Sequence, residues 1–309
     1  MTVDILNNII ATTLRNSTPL MLAALGGVFC QKARVFNIGL EGIMLIGAFS
    51  AICGVMLSGG SAWVGLIFAI LCGMVFSLLF YLFAVKLSAN QIITGIGLNL
   101  MASGLTAFLL RAVFGTKGAL RATSMTALPT LKLPFLSKIP VIGGLFGELQ
   151  LITIIALVMM FVTAVILRRT PIGAYTVAVG EMPDSVSTAG MKIHRVYLFD
   201  ILWSGALCAC AGAYLSIVSV SSFTEDMVSG RGFTAFSALI FGNANPYAVC
   251  ACSLLFGFVD AVGIKLELSR AAIPSSIIKM FPYILTVTAL AVSCYMRQWK
   301  ENHVSQKRR

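Results

Sequence analysis

The sequence predicts an all-α fold, a polytopic transmembrane helical bundle of about eight to ten spans counting short or broken helices. Three observations carry the prediction. Hydrophobic residues fill 58% of the 309 positions and charged residues only 11%, against roughly 25% charged in soluble domains. Mean hydropathy is +0.94, too high for a soluble chain to cover itself with polar surface. The apolar residues also come in runs of about 20, the length a helix needs to cross the hydrocarbon core.

Taken in order, residues 35–58, 62–85, 90–113, 149–167, 196–219, 246–264 and 274–296 meet that length. Residues 5–29 carry Asn7, Asn8, Arg15, Asn16 and Pro19, which predicts an interfacial helix followed by a short buried one. Residues 233–244, FTAFSALIFGNA, sit between Gly232 and the turn signal GNANP and are half a span long. Eight crossings are the central expectation. The start MTVDILNN lacks a basic n-region, so no cleaved signal peptide is expected. No stretch is long enough for a separate soluble unit, and residues 1–309 read as one transmembrane domain.

Charge sets the orientation, because cytoplasmic flanks of membrane helices are rich in Lys and Arg. Lys32 and Arg34 flank one span, Lys86 ends the next, and LSGGS between them is uncharged. That predicts residues 30–34 and 86–89 inside and 58–61 outside. Continuing the crossings makes 114–148 an extracytoplasmic loop and 168–195 a cytoplasmic one. The basic tail 297–309 is then cytoplasmic, provided that 233–244 also crosses. Arg168, Arg169, Lys192 and Arg195 agree with the rule, whereas Lys117, Arg121, Lys132 and Lys138 run against it. These flanks account for the net charge of +11 and leave no call for nucleic acid as a partner.

Several activities find no support in the sequence. The eight cysteines form no C-x-x-C pair and His194 and His303 have no ligand-spaced neighbour, so neither metal nor other cofactor is expected. The phosphate-binding pattern G-x-x-x-x-G-K-[ST] does not occur, and no nucleophile–base set suggests an enzyme.

Two groups of residues stand out. In RRTPIGAYTVAVGEMPDSVSTAGMKIHR, residues 168–195, Pro183 suits the first position of a short helix and Gly190 the left-handed position after it. Glu181 and Asp184 complement the helix dipole. A helix over about 183–189 follows, with the small residues Ser185, Val186, Ser187, Thr188 and Ala189. It reads either as an ordinary connecting loop or as a surface that docks in another protein's groove. The second group is polar residues inside spans: Asn37 and Glu41, then Gln91, Thr94, Asn99 and Ser103, partly on one helical face. They read either as pathway residues or as hydrogen bonds between helices. Glu41, in VFNIGLEGIMLIGAF, is expected about one and a half turns into a span starting near Val35, at the cytoplasmic interface. There it would accept hydrogen bonds from a neighbouring backbone, pair with Lys32 or Arg34, or line the pathway. Asp260 is the other carboxylate read as lying in a span.

The segment RTPIGAYTVAVGEMPDSVSTAGMKIHRVYLFDILWSGALCACAGAYL resembles the cytoplasmic coupling segment of ABC-importer permeases of the ribose, nucleoside and branched-chain amino-acid group. Gly180, Glu181, Ala189, Gly190, Ser204, Gly205, Ala206, Ala211 and Gly212 stand where that group has its motif residues. VFNIGLEGIMLIGAF is similar to its N-terminal signature and GRGFTAFSALIFGNANPYAVCACSLLFGFVDAVG to its C-terminal one. IPSSIIKMFPYILTVTAL, with Pro274, Pro282, Tyr283 and Thr286, is similar to its end. The NIGLEG wording and chain length look most like the shorter of two permease subunits in nucleoside importers.

The resemblance implies a subunit forming half of the translocation pathway in the cell membrane. Its partners would be a separate ABC ATPase, a second and different permease subunit (or a second copy), an extracytoplasmic binding protein and the lipid bilayer. Gly180, Glu181, Pro183, Asp184, Ser185, Ala189 and Gly190 would then couple to the ATPase. Two departures stand out: Met182-Pro183 where the group often has Asn-Pro, and GNANP in place of the commoner GKWNP. The alternatives are a simple-sugar (ribose-type) permease of the same group and a secondary transporter that needs no ATPase.

Overall fold

A computed structural model describes residues 2–121, 126, 130–131, 149–268 and 288. The expected span 274–296, the tail 297–309 and most of the loop 114–148 lie outside the described residues. The helices are α1 (Thr2–Lys32), α2 (Leu40–Leu57), α3 (Ala62–Phe80), α4 (Gln91–Phe114), α5 (Leu151–Arg169), α6 (Pro171–Glu181), α7 (Pro183–Thr188), α8 (Ile193–Ala213), α9 (Arg231–Phe241) and α10 (Pro246–Leu268). Helices α3 and α8 run on as π-helical turns at Tyr81–Lys86 and Tyr214–Val220. Six of these segments are long and apolar enough to span a membrane, and they match six of the seven runs expected from the sequence.

The core is α8 packed against α1, α2 and α3, with α1 also lying along α10. Small residues permit the approach, as in membrane bundles generally. A Cβ at Gly47 would stand 2.5 Å from the Ala209 backbone, and one at Gly212 would collide with the Met44 carbonyl. Helix α4 stands at the rim. The Asn90 side chain caps it by accepting from Ile92 N and Ile93 N, and Gly115, at φ 63°, ends it.

Helix α1 corrects the expectation of two pieces, because it is continuous through Pro19. Proline is tolerated in membrane helices when neighbours and hydroxyl side chains make up for the lost bond. Here the Ser17 and Thr18 hydroxyls bond to Leu14 O, one residue before the Arg15 carbonyl that Pro19 leaves without its donor, and α8 and α10 enclose the helix.

Loops sort to two ends of the bundle. At one end β1 (Ala119–Arg121) pairs antiparallel with β4 (Ser222–Thr224), and Thr126 N donates to Gly60 O. Nearby in sequence, β2 (Thr130–Leu131) pairs with β3 (Leu149–Gln150). At the other end Gly180 abuts the Lys32 carbonyl, and the Arg168 guanidinium lies 5.5 Å from the centre of the Tyr247 ring. Two crossings between these ends are only partly helical. Residues 33–39 rise from the Lys32 end as irregular backbone before α2 begins. Residues 221–230 enter from the β1–β4 end before α9 completes the passage, with Leu239 packed on Gly27 near the end of α1. The half-length run 233–244 is thus the second part of a broken crossing.

Candidate functional site

The two breaks meet where α2 and α9 begin. After Lys32 the chain reverses at Arg34, at φ 56°, and Val35 N donates to Cys30 O. Irregular backbone at membrane depth needs partners, since no water is there to supply them. Side chains provide them. Phe36 N donates to Gln91 Oε1 at 2.8 Å. Asn99 works from both ends of its amide, accepting from Gly42 N at 2.8 Å and donating to Ile38 O at 3.1 Å. Asn37 accepts from Gly39 N and donates to Ser204 Oγ, and is only 2% exposed. Three of the residues proposed as pathway or packing candidates therefore seal the first break. Thr94 donates to Asn90 O on its own helix and borders an open depression of ≈ 310 Å³ with Ile93, Gly97 and Met101.

Glu41 joins the first break to the second. Its Oε1 accepts from Gly230 N at 2.7 Å and its Oε2 from Gly232 N at 2.6 Å. These amides are the free donors at the start of α9, where the helix dipole also favours a negative group. Glycine is required on both sides: Gly230 has φ 82°, and a Cβ at Gly232 would stand 2.5 Å from Glu41 Cα. Of the readings open to Glu41, the backbone anchor matches this geometry, and Lys32 and Arg34 are not its hydrogen-bond partners. The helix position is corrected from one and a half turns to the first turn. Because residues 35–39 are non-helical, Glu41 lies in the first turn of α2, and Gly42 after it meets Asn99, about 12 Å along α4 at 1.5 Å per residue.

Above Glu41 the second break is more open. Ser103 Oγ donates to Asp226 Oδ1 at 2.7 Å. Glu225 Oε1 accepts from Gly118 N and from Arg111 Nη2, both at 3.4 Å. Asp226 and Ser229 hold positive φ values of 53° and 49°, and both side chains are exposed.

At the Lys32 end, α6 is fastened to the core twice. Thr176 Oγ1 donates to Asp200 Oδ1 at 2.9 Å, and Gly180 packs on the Lys32 carbonyl. Gly180 is buried, so within the proposed coupling set it is a packing residue and not a contact surface. Glu181, Pro183, Asp184, Ala189 and Gly190 are exposed. Val186 turns inward against Val179 and Val196. Gly190, at φ 80°, takes the left-handed conformation expected of it, and Gly190 N donates to Ser187 O. Ser185 lies in α7.

Asp200 was missed among the carboxylates within spans. It is fully buried, holds α6 to α8 through Thr176, and its backbone carbonyl faces Cys30 Sγ. The signal was available: a carboxylate in the apolar run YLFDILW is costly and needs a partner.

Broken crossings that meet inside a helical bundle define a class, the polytopic membrane transport proteins, in which irregular backbone at depth is kept for a route through the protein. The sequence profile of the family described as "Branched-chain amino acid transport system / permease component" matches residues 9–290, and the chain belongs to that family. It is the multi-pass permease subunit of an ABC transporter, and membership implies an ATPase and a substrate-binding protein as partners. The Guanosine ABC transporter permease protein NupQ of Bacillus subtilis is 34% identical to it over 93% of this chain and 92% of that protein. The Nucleoside ABC transporter permease protein NupC of Lactococcus lactis is 34% identical over 94% and 93%. The Putative glucose ABC transporter permease protein TsgC13 of Haloferax volcanii is 29% identical over 90% and 89%.

Proposed function

We propose that this chain is a permease subunit of an ATP-driven importer of nucleosides, forming half of the route with a second, different permease chain in the cell membrane. The observation that carries the reading is the 34% identity, over more than nine-tenths of the chain, to two permeases named for guanosine and nucleosides. The permease named for glucose stands at 29%. The Lys32 end is cytoplasmic on this reading, in keeping with Arg168, Arg169, Lys192 and Arg195 there, and residues 114–148 are extracytoplasmic. ATP is hydrolysed by the partner.

The exposed part of 181–190 receives the ATPase's movement. Helix α7 exposes Pro183, Asp184, Ser187 and Thr188 and packs Val186 inward, while α6 behind it is tied to α1 and α8 through Gly180 and the Thr176–Asp200 bond, so a push on α7 reaches the core. A cysteine in place of Ser187 should cross-link to the ATPase. Gly190→Val, strained at positive φ, should lower uptake with normal protein levels. Normal uptake by Gly190→Val and no cross-link would remove the coupling role.

Uptake by cells expressing the full set of subunits tests the substrate. Guanosine should accumulate in an ATP-dependent way, and excess nucleoside should compete. Accumulation of ribose or glucose without guanosine would favour the simple-sugar reading. Uptake by this chain alone in liposomes, driven by an ion gradient, would favour a secondary transporter.

A further inference from the structure

Residues 225–230 present a physical problem. They are irregular backbone, and Asp226 meets Ser103, which lies about 18 Å from the start of α4 and so halfway along it. At that depth Asp226 and Ser229 are exposed, as is the neighbouring Phe233. Gly104, beside Ser103, has open space where a Cβ would stand. A carboxylate cannot face hydrocarbon; it survives at depth only against protein or a water-filled cavity.

The loop's own backbone is largely paired, with Glu225 N donating to Gly118 O, Met227 N to Thr224 O, Ser229 N to Asp226 O and Gly230 N to Glu41 Oε1, so the open group is the Asp226 side chain. The Asp226 carboxylate has one oxygen engaged, Oδ1 with Ser103, and among the described residues Oδ2 accepts no hydrogen bond. A carboxylate is acceptor-only, so the ligand must bring donors and need carry no charge.

We propose that the 225–230 segment with the Ser103–Gly104 face of α4 walls a water-filled route, in which Asp226, aimed by Ser103, accepts hydrogen bonds from the vicinal hydroxyls of the transported ribose. This rests on the nucleoside reading for the identity of the hydroxyl donor, but not for the presence of water. A neighbouring pair of hydroxyls offers two donors at the spacing of a carboxylate's free acceptor positions. The base, which varies among nucleosides, is left to other contacts.

The experiment has two arms, both in the assembled transporter. In the first, Ser229→Cys is treated with a small anionic thiol reagent, with Val75→Cys, exposed midway along α3, as the lipid-facing control. The Ser229→Cys protein should react, lose uptake on reaction and be protected by excess substrate, while the control stays unmodified. An active Ser229→Cys transporter that resists the reagent would overturn the water-filled route. In the second arm, guanosine is compared with 2′,3′-dideoxyguanosine. Asp226→Asn should raise the half-saturating guanosine concentration about tenfold, the loss of one charge-assisted hydrogen bond, and erase the preference for the hydroxylated ligand. Ser103→Ala, which removes only the aiming bond, should shift the same preference less. An unchanged preference in both variants would overturn the hydroxyl role. Failure of the nucleoside reading is seen separately, as absence of guanosine uptake by the parent transporter, and the labelling arm still decides the route.

Discussion

The two broken crossings satisfy their backbone by different means. In residues 33–39 the backbone is taken up by side chains, those of Gln91, Asn99 and Asn37, and Asn37 and Gly39 are buried while Arg34 and Phe36 stay exposed. Residues 225–230 pair their backbone mostly through their own turns, and it is the side chains of Asp226 and Ser229 that stay exposed. Glu41 belongs to both, since it starts α2 and holds the start of α9. Polarity within a span is therefore no guide to pathway lining. What separates the two breaks is whether the polar group's capacity has already been spent on the protein's own backbone.

The largest effect should come from cutting the link between the breaks. Glu41→Leu strands Gly230 N and Gly232 N, at about 1–3 kcal/mol for each buried donor left unsatisfied. Folded protein recovered in detergent should fall several-fold. Glu41→Gln keeps an acceptor oxygen and should lose much less, with no change in the preference order among competing substrates. A changed order in Glu41→Gln at normal protein level would place this side chain in the route and end the anchor reading.

Next comes opening the sealed break. Asn99→Ala leaves Gly42 N and Ile38 O without partners, and the melting temperature of the purified protein should drop by several degrees, as for about 1–3 kcal/mol. Asn99→Asp keeps the acceptor but loses the donor to Ile38 O, so its drop should be intermediate if protein packing is all that Asn99 does. Normal stability of Asn99→Ala with altered substrate preference would mean that the first break is open too.

The smallest effect separates the two faces of one helix. A Cβ at Gly95 would stand 3.0 Å from Gly39 N, against the sealed break, whereas one at Gly97 meets nothing within 4 Å. Gly95→Ala should cost about 1–3 kcal/mol by overpacking. Gly97→Ala should be neutral or slightly stabilising, as alanine favours helix by about 1 kcal/mol. Equal melting temperatures for the two variants would contradict the close approach of α4 to residues 38–39.

The sequence by itself determined the class of fold and six of the spans, because a run of some 20 apolar residues has few other uses. It also determined Gly190 and the short helix before it, since Pro183 and the glycine act within a few bonds of themselves. Glu41 could be picked out as unusual, with a backbone partner among the readings, but not which backbone: Gly230 is 189 positions away, and no local pattern encodes that distance. Continuity of α1 through Pro19 was likewise illegible, because the enclosing helices decide it. Asn37, Gln91, Asn99 and Ser103 share a polar character that reads alike in a sequence. Only the tertiary structure separated the first three, spent on the backbone of residues 36–42, from Ser103, which holds a carboxylate toward open space. Burial and hydrogen-bond capacity are properties of the neighbours a side chain is given, and those neighbours are chosen by the fold.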